Sequence, residues 1–177
     1  NNEVTTLVEN HPFELNVLNL NTLKVDPATM IAFQKDLNEL DRVANGVDAY
    51  YKNASTRVQK AKAAARVSNN GDLSALKELG KLEAQLNEMD IKLYGDKTLG
   101  KHQFEIEPST LDRVGLAAWS SYSTQNESTQ IQRDDYTIAK EELKVIINDL
   151  QGINAKLVAI ENVLNMKGAP HLNNELP

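Results

Sequence analysis

Two adjacent acidic pairs, Asp134-Asp135 and Glu141-Glu142, and three scattered histidines, His11, His102 and His171, are the first residues to weigh for chemistry. A pair of carboxylates acts together in acid–base catalysis or metal binding only when both reach one ligand. Neighbours on a helix point about 100° apart, so these pairs diverge. A di-iron site inside a helical bundle needs Glu-x-x-His motifs on facing helices. None occurs, and the histidines fall outside every helical pattern. Ser120 and Ser121 follow Trp119 without a Gly-x-Ser-x-Gly frame or a partnering histidine. Glycine-rich phosphate loops are absent. The chain has no cysteine, which removes disulfides and thiolate ligands. The expectation is a protein without catalytic residues, cofactor or metal.

Two groups remain as a candidate interaction surface. Asp96, Glu105 and Glu107 lie in the stretch 94–108, the one place where carboxylates from a loop could meet another segment. Arg113, Trp119, Arg133 and Tyr136 flank a polar connection near residues 123–128. They read either as a ligand notch or as packing of the long loop against the end of the helices, with Arg113 bonding loop carbonyls. Arg57, Lys60, Lys62 and Arg66 sit among alanines and read as a solvated helix face. Asn53-Ala54-Ser55 and Asn126-Glu127-Ser128 match the glycosylation sequon, which matters only in a secretory eukaryotic setting.

These residues must be carried by helices. The chain has 177 residues, 41% hydrophobic and 25% charged with only 5% aromatic, which suits one α-helical domain better than a sheet protein. A net charge of −6 without a dense basic patch argues against nucleic acid. No apolar run approaches the roughly 20 residues that span a bilayer. The chain opens on Asn1-Asn2, without methionine or a signal sequence, and reads as a fragment or processed product.

The longest pattern of the C-terminal half is 129–166. Leu143, Ile146, Leu150, Ile153, Leu157, Ile160 and Leu164 recur in steps of three and four, a heptad seam. Asp26-Pro27 starts a second long helix over 27–67, with a seam from Met30 and Phe33 to Ala65 that continues through Gly46. Asp72 caps a helix over 73–93. Ser109-Thr110-Leu111-Asp112 resembles a capping box with aspartate in the last place and starts a helix over 109–122 presenting Leu111, Val114, Ala118 and Tyr122. Gly168 is placed as the C-cap of the last helix, with Pro170 preventing continuation. Ahead of all this, Phe13, Leu15 and Val17 alternate with polar residues, so 1–25 reads as an extended arm or strand. The resulting expectation is all-α: an antiparallel four-helix bundle, two helices long and two shorter, over 26–177, with an extended arm or orphan strand before it.

From Leu93 onward a set of short motifs recurs in a familiar order. It runs Leu93-Tyr94-Gly95-Asp96, Pro108-Ser109, Arg113-Val114-Gly115 and Trp119 with a Ser/Thr-rich connector. It continues through Arg133, Tyr136, Ile138-Ala139 and Glu141-Glu142 to Gly168-Ala169-Pro170 and a closing Leu176-Pro177. This order resembles the C-terminal helical region of large Bacteroidetes-type bacterial proteins with sortilin-like (VPS10) or BNR-repeat β-propellers, often labelled glycosyl-hydrolase-like. The resemblance implies an upstream propeller and a small β-sandwich whose last strand leads into Asp26-Pro27. It implies an extracytoplasmic protein, in the periplasm, outer membrane or cell surface, and transfers no catalytic residue. Any hydrolase activity would lie in upstream domains.

The functional expectation is therefore a non-catalytic helical module that contacts its own propeller or another surface protein. The alternatives are a free-standing subunit of a bacterial surface or secretion complex, binding through 94–108, and a fragment of a glycan-hydrolysing enzyme. Heptad seams of this kind also allow self-association.

Overall fold

The computed structural model describes residues 12–15, 26–68, 72–102, 106–122 and 126–169, and every regular element among them is helical. The elements are α1 (Pro27–Val67), α2 (Leu73–Tyr94), α3 (Lys97–Lys101), α4 (Thr110–Tyr122) and α5 (Gln130–Met166).

The helix starts follow from side chains that accept otherwise orphaned N–H groups. The Asp26 carboxylate accepts from Ala28 and Thr29 at 3.1 and 3.2 Å, with Pro27 at the first position where no bond is lost. Asp72 accepts from the Ala75 N–H at 3.1 Å. The aspartate version of the capping box forms before α4: Asp112 N–H donates to Ser109 Oγ at 3.3 Å and Ser109 N–H to Asp112 Oδ2 at 3.2 Å. Thr129 and Gln132 make a second capping box at α5. That helix ends in a Schellman turn, with Ala169 N–H on the Leu164 carbonyl and Gly168 N–H on that of Asn165, both at 3.0 Å. Gly168, read from the sequence as the C-cap, has φ 70° and lies one position beyond the observed cap, Lys167.

The helix limits match the sequence reading to within one residue, and α1 continues through Gly46. The stretch 94–108 departs from it by containing α3. A single turn has no periodic seam to read; its one signal is Asp96, whose carboxylate accepts from Thr98 and Leu99 at 2.8 and 3.2 Å. The buried face of α4 also differs. Thr110, Val114, Ala117 and Ser121 are buried, whereas Leu111 and Ala118 are half-buried and Tyr122 is exposed, its hydroxyl reaching the Asn38 side chain of α1.

Cross-helix bonds fix the directions. Along α1, Asp48, Tyr51 and Lys62 meet Tyr94, Asp90 and Glu83 of α2, so α2 is antiparallel to α1. Thr110, Arg113 and Ser120 of α4 meet Glu142, Asp135 and Gln132 of α5, so α4 is antiparallel to α5. Phe33 meets Tyr136 and Arg57 meets Glu161, so the two long helices run parallel. Asp72, the cap of α2, receives Lys167 just past the end of α5. Thus α2 lies beside the C-terminal halves of α1 and α5, and α4 beside their N-terminal halves. The helix inventory of two long and two shorter is the one read from sequence, but the long pair is parallel and the short pair lies in series. Length explains this. At about 1.5 Å per residue, α1 and α5 run roughly 55–60 Å, which only α2 and α4 together can cover.

The seams carry Leu79, Leu93, Val58, Leu143, Leu157 and Leu164, each at most 1% exposed. Met30, Phe33 and Ile160, also placed on the seams, are half-buried. Of the extended arm read over 1–25, only 12–15 is described. It has no regular structure, and Phe13 and Leu15 are 82% and 84% exposed, so these side chains do not pack on the helices. The remainder of the arm, His11, His171, Pro170 and the tail lie outside the described residues.

Candidate functional site

Where α2 hands over to α4 the side of the molecule is not closed by continuous helix. Gly95, at φ 79°, turns the chain away from the end of α2. A side chain there would be strained, since only glycine takes this backbone region freely. Asp96 then caps α3, and Pro108 and Ser109 bring the chain back to start α4. The detour leaves a cavity of about 390 Å³ over α5. Ile91, Ile106, Pro108 and Val145 give it apolar walls; Lys92, Asp96, Glu107 and Glu142 give it a mostly acidic rim.

The rim carboxylates are held rather than poised. Glu142 Oε2 accepts from Thr110 Oγ1 at 2.7 Å. Backbone N–H bonds, first that of Thr98, hold the Asp96 carboxyl below its usual range, so it stays ionised as a helix cap. Glu107 is exposed. An apolar hollow with fixed negative charge at its edge can receive an apolar group that ends in a cation.

Behind this corner a polar network fastens α2 and α3 to α1. Tyr51 and Tyr94 pack edge to face, centroids 5.9 Å apart. Tyr51 donates to Asp90 at 3.0 Å, Lys97 reaches the same carboxylate at 3.1 Å, and Tyr94 donates to Asp48, which also holds Lys52 at 2.7 Å. Burial, then the Asp90 acceptor, push Tyr51 up to about 12. The same causes, with Asp48 as acceptor, raise Tyr94 further. Lys52 first and Tyr94 second hold Asp48 below the usual carboxylate range. The sequence offered only the Asp48/Lys52 spacing as a hint, because the tyrosines meet their acceptors across the hairpin.

Of the first candidate group, Asp96 and Glu107 share the cavity rim, and Glu105 lies outside the described residues. The second group does not form a notch. Arg113 donates to Asp135 Oδ1 at 2.8 Å, both side chains being only 15% and 14% exposed, and it bonds no loop carbonyl among the described residues. Its Nε is buried without a hydrogen-bond partner there. Tyr136 faces α1 instead, its ring 5.7 Å from that of Phe33. Arg133 is exposed and reaches Ser128 Oγ at 3.1 Å. Trp119 is 76% exposed.

No known family, curated protein or solved structure matches this chain. Among the described residues, no three acidic or histidine side chains gather as a metal site, and no helix is long and apolar enough to cross a membrane.

Proposed function

We propose that this chain is a non-catalytic helical interaction module, its four main helices acting as one bundle that presents the cavity between α2 and α4 to a protein partner. The observation that carries this reading is the preformed apolar cavity with a fixed acidic rim, set on seams that hold no carboxylate. The module belongs to a larger exported protein at the cell surface or in the periplasm, and the partner is its own upstream propeller or another surface protein. The motif order from Leu93 to Pro170 supports that placement. The use of the Asp96 carboxylate as a helix cap, held below its usual range, favours docking over glycan hydrolysis.

The test is site-specific photo-crosslinking in the source cells. A crosslinker at Val145, on the cavity wall, is expected to join an exported protein or the upstream part of the same polypeptide. One at exposed Lys81 on α2 is expected to join neither. Equal labelling from both positions, or adducts found solely with cytosolic proteins, would overturn the proposal. Immunoblots of the same fractions separate its two forms. A band near 19.7 kDa means a free-standing subunit, and a much larger exported band means a module of a longer chain.

A further inference from the structure

Because α1 and α5 run parallel with α2 and α4 on one side of their seam, the opposite side of that seam is left uncovered by the described residues. It forms a groove between the two long helices. The Phe33–Tyr136 ring contact closes one end, and Arg57, bonded to Asn154 and Glu161, closes the other. Between them, two cavities of about 400 and 380 Å³ adjoin through Val43 and Ile147. Tyr50 lines the floor while remaining 41% exposed.

Gly46 sits mid-groove, and nothing lies within 4 Å of where its Cβ would be. A glycine inside a helix costs about 1 kcal/mol relative to alanine. No neighbour among the described residues requires it, and its effect is to keep the groove floor low.

The two rims carry opposite charge at the same level. Asp36 and Glu39 stand on the α1 rim, with Arg42 bonded to Glu39 at 2.6 and 2.8 Å beside them, and Lys140 and Lys144 stand on the α5 rim, which leaves the α1 rim net negative and the α5 rim net positive. We propose that this groove receives a second copy of the chain, the two copies running parallel about a two-fold axis along the helices. That axis sets the α1 rim of each copy against the α5 rim of the other, so Asp36 and Glu39 meet Lys140 and Lys144 twice. An antiparallel dimer would carry each acidic rim to the far end of the partner and lose both matches. The groove runs about 36 Å from Phe33 to Arg57 and is about 20 Å wide across two helices, on the order of 700 Å². That is close to the roughly 800 Å² per partner of a specific interface. The proposal concerns a different face from the cavity at the α2–α4 handover and stands or falls without it.

The test is sedimentation equilibrium of the full chain, with circular dichroism to confirm helix content. The wild-type chain is expected to dimerise in the micromolar range, more weakly as salt rises. The variants D36K/E39K and K140E/K144E each set like charges on facing rims and are expected to be monomeric. Their equimolar mixture restores both matches and is expected to dimerise like the wild type. Gly46→Leu fills the floor and is expected to be a folded monomer. A wild-type chain that stays monomeric at about 500 µM, charge variants that dimerise unaided, or a mixture that stays monomeric would each overturn the proposal.

Discussion

Arg57 donates Nε and Nη2 to the Glu161 carboxylate at 3.0 and 2.6 Å and Nη1 to Asn154 at 2.8 Å, joining the parallel helices with a planar fork. The side chains of Arg57 and Glu161 are only 23% and 12% exposed. Arg57→Ala strands a largely buried carboxylate and should cost about 2–3 kcal/mol in urea unfolding. Arg57→Lys should recover only part of that, because a point charge cannot make the bidentate contact. A second prediction concerns pH. Tyr51 is pushed up to about 12, so its share of stability is intact below the ordinary value near 10 and is lost as pH rises through 12. Asp48 and Asp72 are lowered, so their share is intact above about 4 and is lost as pH falls further. Urea midpoints should be flat across neutral pH, fall below about 4 and fall again above about 10. Absorbance titration should show Tyr51 and Tyr94 ionising above the ordinary tyrosine value near 10. The Tyr51–Asp90 contact was not legible in the sequence, since the two become neighbours only when the hairpin closes.

Helix ends were legible because they rest on local rules. Asp26, Asp72 and Ser109–Asp112 each announce a start through a bond spanning at most three residues. The short α3 was not, because one turn leaves no period. The buried face of α4 was misread at Tyr122, because the seam passes through small and polar residues there, Thr110, Ala117 and Ser121. Two glycine types give a third prediction. Gly80 and Gly152 lie inside helices with nothing within 4 Å of an added Cβ, so alanine at either should stabilise by about 1 kcal/mol. Gly168 needs its φ of 70° for the Schellman turn, so Gly168→Ala should destabilise by about 1 kcal/mol. Opposite shifts of the thermal midpoint would confirm both.

Across the molecule, a heptad seam tells which face of a helix is buried but not which helix covers it. The composition and the seams therefore yielded an all-α protein, while the parallel long pair and the serial short pair depend on contacts between residues roughly a hundred positions apart. The candidate site divides the same way. The length of 94–108 marked the region of the cavity, whereas Arg113 and Tyr136, grouped because they flank one connection, meet different partners, Asp135 and Phe33. A fourth prediction follows from the serial pair. No residue of α3 is buried, and Lys97 and Lys101 are exposed. Trypsin cleavage between them and α4 should leave two pieces that co-elute in size exclusion, because α1 remains packed on both α4 and α5. Separation of the pieces without denaturant would refute the packing. An odd number of rods has one more effect. Three passes leave the chain at the end opposite to the one where it entered, so Pro27 and Met166 stand roughly 55–60 Å apart. A domain joined before α1 and one joined after α5 would be held at that distance by a stiff strut, unlike a hairpin or a four-pass bundle, which returns the chain to its point of entry.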